Sequence, residues 1–227
     1  MNDVLTWILD TIESVNPVLR ILLAGLAILL ETSVLVGLIV PGDTVVIVAS
    51  LATPDPLSNP AQYLGLITAV VLGALAGESI GFALGRYFGP KIRASRVGRR
   101  IGERNWRRAE YFIDRRGGIA VFISRFLPVL HSLVPLTVGM STMRYRKFIG
   151  WTLPACLLWA SAYVTVGATA GGVTRRLISE QLHWAGYVFV GIIAGFLLIV
   201  WAVKTLLAKA SERDMLVPGD GDADTPD

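Results

Sequence analysis

One cysteine and two histidines stand among 227 residues. The lone Cys156 excludes an intramolecular disulfide. With only Cys156, His131 and His183 as soft ligands, no structural metal site is expected, and no cofactor. Residues 1–17 carry Asp3, Asp10 and Glu13 but no Lys or Arg, so they lack the basic start of a secretory leader. The sequence has no GxxxxGK[ST], HExxH or GxSxG pattern. Neither an ATP motor nor a hydrolase site is expected, and the chain is read as a non-enzyme. Charge is absent over long stretches. Windows 148–174 and 184–203 contain no Asp, Glu, Lys or Arg. About 20 apolar residues suffice to cross a bilayer as a helix. These windows exclude a soluble enzyme, and they exclude disorder except in the C-terminal tail.

What the chain does have is apolar surface. Hydrophobic residues make up 53% of it, and the mean hydropathy is +0.60. The expected class is an all-α membrane protein. Residues 1–17 read as an interfacial amphipathic helix, 18–208 as a polytopic membrane domain, and 209–227 as a disordered acidic tail. Within the domain, 64–88 reads as a span, 89–116 as a basic loop, and 148–174 and 184–208 as two further spans.

The charge of residues 86–116 is lopsided, with 11 basic and 3 acidic side chains, net +8. On a membrane protein this marks the cytoplasmic side rather than a nucleic-acid site. Segment 117–143 has basic flanks at both ends and holds Pro128 and Pro135, which are expected to break a helix. It reads as a re-entrant hairpin. Segment 18–53 has flanks without Lys or Arg and is interrupted at Pro41-Gly42. It reads as a second re-entrant hairpin from the opposite face, with one plain span over 18–40 as the alternative. Two broken segments of matching type are the sign of an inverted-repeat transporter. Arg175-Arg176 then falls on the outer side, against the positive-inside trend.

Gly73, Gly77, Gly81, Gly85 and Gly89 recur every four residues. That spacing lays bare backbone along one helix face, where another helix can approach closely, within the chain or in a homo-oligomer.

Five formally charged side chains sit well inside apolar segments: Glu31, Asp43, Glu78, Arg86 and Arg125. A charge in hydrocarbon costs roughly 2.5–3.5 kcal/mol even on the lenient insertion scale, so each needs a partner or a wet cavity. Low dielectric favours the neutral carboxylic acid, which suits Glu31 and Asp43 to proton coupling. Asp43 alternatively caps a helix after Pro41-Gly42, whereas no capping role is evident for Glu31. Arg125 offers a planar fork to a phosphate, or pairs with Glu31 or Asp43. His131 reads as a proton carrier, a phosphate ligand or a satisfied core histidine. Glu78 and Arg86 are secondary candidates, and Arg86 is expected to reach cytoplasmic headgroups.

Glu31 followed by Val40-Pro41-Gly42-Asp43-Thr44 resembles the acidic motif of the DedA (VTT, SNARE-associated) family. Gly77 to Gly81, Gly85-Arg86-Tyr87 and Gly89 resemble its glycine-rich helix. Arg115-Arg116-Gly117-Gly118, Ser124-Arg125-Phe126-Leu127-Pro128, Val134-Pro135, Gly139-Met140-Ser141, Met143 and Phe148 resemble its second motif. The likeness runs over roughly residues 20–172. It implies two facing re-entrant hairpins with a polar cavity between them. It also implies a proton-dependent flippase or scramblase of the bacterial plasma membrane, moving a polyprenyl phosphate or a phospholipid. Glu31, Asp43 and Arg125 match the family's important charged positions. Where the family often has a second arginine, this chain has His131. A proton-coupled transporter of a small solute or cation, and a non-transporting scaffold, are the rival readings.

Overall fold

The computed structural model describes residues 2–33, 42–54, 56–127, 130–180 and 184–215. Among them every regular element is helical: α1 (Asn2–Ser14), α2 (Pro17–Thr32), α3 (Gly42–Leu51), α4 (Pro60–Ala94), α5 (Arg96–Ile101), α6 (Glu103–Arg116), α7 (Gly118–Ser124), α8 (Leu130–Met140), α9 (Tyr145–Ser179) and α10 (Ala185–Met215). Helices α4 and α9 have 35 residues each and are long and apolar enough to cross a membrane. At 1.5 Å per residue each is about 52 Å long, well beyond a bilayer core of about 30 Å. Helix α10 carries a shorter apolar stretch, Tyr187–Val203. Leu72, Leu158, Leu198 and Ile199 are more than half exposed on these three helices. Apolar surface of that extent on long helices fits a lipid surround.

The chain forms two compact units, one of residues 1–78 and 156–201, the other of 79–155 and 202–227. In the first, α2 and α3 make an antiparallel hairpin. Arg20 near the start of α2 donates from Nη2 to the Ala52 carbonyl just past α3, at 2.8 Å. Glu31 near the end of α2 accepts from the Asp43 amide at the start of α3, at 2.7 Å. The hairpin lies on the early part of α4. A Cβ on Gly73 would strike the Gly25 carbonyl oxygen, and one on Gly77 would strike the Thr32 hydroxyl. It also lies on the late part of α9, where Cβ atoms on Gly167 and Gly171 would strike Ser50 and the Leu51 carbonyl. Leu9 of α1 is buried with Leu51 and Ala170, so the helix expected at the interface lays part of its apolar face on protein.

The second unit has the same make-up. Helices α7 and α8 pack around Val121, Val134 and Val138, with Phe82 of α4, Phe112 and Ile113 of α6 and Phe148 of α9. Gly85 and Gly89 of α4 meet Leu136 and Met140 of α8. The glycine strip is thus occupied within the chain, and Gly81 between the two sets is buried.

Three expectations need correction. Residues 89–116 are not a loop: they finish α4 and form α5 and α6. Trp106, Ala109, Phe112 and Ile113 recur at helical spacing and are buried, a stripe masked in the sequence by the surrounding arginines. Pro135 does not break its helix, because α8 runs from Leu130 to Met140 through it. Its flanking Val134 and Leu136 are fully buried, and that packing offsets the one lost backbone bond. The acidic tail begins later than expected, since α10 continues to Met215 through the strong helix formers Lys209, Ala210, Glu212 and Arg213. Residues 216–227 and Pro128 lie outside the described residues.

Arg93 ties the basic helices together. It donates to Glu110 at 2.6 Å and is bidentate to Glu103. That hydrogen bonding holds the Glu103 carboxyl below its usual range. A lowered folded pKa adds stability above the unfolded value, and the gain is lost as pH falls through the folded one. The stability difference between wild type and Glu103→Gln is therefore expected at pH 7 and to vanish in acid below the carboxylate range. Thermal unfolding across that pH range checks it.

Candidate functional site

The first cluster is acidic. The first amide groups of a helix have no partner of their own. At the start of α3 the Asp43 amide finds one in the Glu31 carboxylate of α2. Glu31 therefore fills the capping role that the sequence suggested for Asp43. Gly42 must lack a side chain here, because a Cβ would strike Glu31 Oε2 and lie 2.9 Å from the Ala27 carbonyl. Asp43 sits in the first turn of α3, half-buried, at the positive end of the helix dipole. The structure thus brings the two carboxylate-bearing residues together at one helix junction.

Glu78, a secondary candidate, is 6% exposed on α4. Its carboxylate accepts from the Cys156 thiol of α9 at 3.7 Å. It holds the two long helices together inside the first unit.

The second cluster is basic and lies in the other unit. Arg125 follows the last turn of α7, half-buried, with its Nε fully enclosed. His131 is the second residue of α8, which places its backbone just past the same turn. Its side chain lies outside the described residues. Arg86 is exposed near the end of α4. Its guanidinium donates to the Ser141 and Met143 carbonyls, both at 2.8 Å, and lies over the Phe82 ring. It closes the C-terminal end of α8, where carbonyls lack helical partners.

A third group was not singled out by the sequence. Arg20, Arg175 and Arg176 line a cavity of about 700 Å³ together with Glu13, Gln62 and Ser58. In the sequence Arg20 is only an interruption of an apolar segment, and Arg175-Arg176 only a link between spans. Their convergence depends on α2 and the end of α9 meeting in the first unit.

Two helices long and apolar enough to span a bilayer, with exposed apolar side chains along them, fit a helical membrane protein. The VTT domain model matches residues 40–169, so the chain belongs to the DedA (VTT-domain) family of membrane proteins. Protein DedA of Escherichia coli (strain K12) is 26% identical over 172 residues, covering 75% of this chain and 77% of its own. Two membrane proteins of Mycobacterium tuberculosis (strain H37Rv) are also similar. Rv2637 is 29% identical over 190 residues, covering 81% of this chain and 83% of its own. Rv0364 is 26% identical over 166 residues, covering 73% and 72%. No solved structure matches the chain.

Proposed function

We propose that the protein is a lipid translocase of the bacterial plasma membrane, moving a polyprenyl phosphate or a phospholipid between leaflets. The observation that carries this reading is the pair of short helical hairpins. Helices of 16 and 10 residues, and of 7 and 11, reach about 24, 15, 10 and 16 Å, each less than a bilayer core. Read as re-entrant, they bring polar backbone and charge to membrane depth, as in transporters with internal repeats. Arg125, together with His131, then holds the phosphate, and Glu31 and Asp43 carry or gate the proton. The tail stays in lipid throughout. The basic stretch 89–116 faces the cytoplasm. No bond in the lipid is made or broken, so the protein is not an enzyme, and its partners are the lipid and protons.

The test is leaflet exchange in liposomes of purified protein, with labelled phospholipid and a polyprenyl phosphate side by side, with and without a pH gradient. Wild type is expected to accelerate exchange of at least one lipid. Arg125→Gln is expected to slow it at least tenfold, the scale of losing one charge-assisted contact to phosphate. Exchange at the wild-type rate in Arg125→Gln would remove Arg125 from the substrate path. Transport of a water-soluble solute without lipid exchange would turn the assignment to the solute-transporter reading.

A further inference from the structure

The cavity of about 700 Å³ in the first unit is built from three separate stretches of chain and carries an unusual charge. Arg20 of α2 is only 8% exposed. Its Nη1 and Nη2 donate to the Ile12 and Ala52 carbonyls, at 3.2 and 2.8 Å. Its Nε is buried and has no hydrogen-bond partner among the described residues. Arg175 donates to Glu13 at 2.7 Å and to the Leu51 carbonyl at 2.9 Å, both from Nη1. Its Nη2 and the whole Arg176 guanidinium make no hydrogen bond among the described residues. Among the described residues, three guanidinium groups and one carboxylate line the cavity.

We infer that this cavity binds a phosphate group, free or at the head of a lipid. Guanidinium forks present paired donors to phosphate oxygens. The cavity sits by the first residues of α4 and the last turns of α9. The site is distinct from Arg125, which lies in the other unit.

Binding separates this inference from translocation. The full chain carrying Arg125→Gln is placed in phosphatidylcholine nanodiscs and titrated with farnesyl phosphate and with inorganic phosphate. Farnesyl phosphate is expected to bind in this background whether or not the protein exchanges lipid. Adding Arg175→Gln and Arg176→Gln is expected to weaken it at least tenfold, at unchanged thermal unfolding midpoint. Arg176→Gln alone, which leaves the Glu13 pair intact, is expected to weaken it severalfold. Arg100→Gln, outside the cavity lining, is expected to have no effect. Binding of inorganic phosphate with the same arginine dependence assigns the site to the phosphate group alone. Binding of farnesyl phosphate only assigns it to a lipid headgroup. Undiminished binding in the double variant, or no binding of either ligand in the Arg125→Gln parent, overturns the proposal.

Discussion

Glu31→Gln is expected to slow leaflet exchange about a hundredfold, the low end of what a positioned proton-transfer group contributes, while the protein stays folded. The reason is geometric. The Gln amide oxygen can still accept from the Asp43 amide, as Glu31 Oε2 does at 2.7 Å, so the α2–α3 junction survives. The variant loses the ability to take up and release a proton. Glu31→Ala removes both. It is expected to lose the same activity and, in addition, about 1 kcal/mol of stability for an uncapped helix start. Exchange assays and thermal unfolding on the two variants separate the capping role from the titrating one. If Glu31→Gln exchanges lipid at the wild-type rate, Glu31 is a structural cap and nothing more.

Gly73→Val is expected to be among the most destabilising single substitutions in the chain, about 3 kcal/mol. Its Cβ would run into the Gly25 carbonyl oxygen, and backbone cannot swing aside as a long side chain can. To admit it, α2 must lift off α4, and the Glu31–Asp43 junction shifts with it. Gly195→Ala is the control on α10. Nothing lies within 4 Å of the position a Cβ would take there. Exchanging glycine for alanine in a helix removes a penalty of about 1 kcal/mol, so this variant is expected to be neutral or slightly more stable. The thermal midpoints of the purified variants, with the yield of monodisperse protein, check both. Equal stability of Gly73→Val and Gly195→Ala would mean that α2 does not rest on the glycine strip.

Some of this was legible in the chain. Long charge-free windows set the membrane class because a bilayer demands internally satisfied backbone over about 20 residues. The four-residue glycine spacing made a close helix contact predictable because i and i+4 lie on one face. The motif likeness picked out Glu31, Asp43 and Arg125. Other features were hidden. The buried stripe of Trp106, Ala109, Phe112 and Ile113 was concealed by a net +8 that spoke only of solvent. Pro135 was misread as a break, because the local cost of proline was judged without the burial of Val134 and Leu136 around it.

The sequence by itself determined the class, the helix-rich fold and which side chains carry charge into apolar segments, since each follows from local composition and period. Only the tertiary structure decided what those charges touch. Glu31 meets an amide twelve positions away. Arg86 closes a helix more than fifty residues on. Arg20 shares a cavity with Arg175, more than 150 residues apart. Such meetings depend on how α2, α4, α8 and α9 pack, through contacts whose distance along the chain no local pattern records.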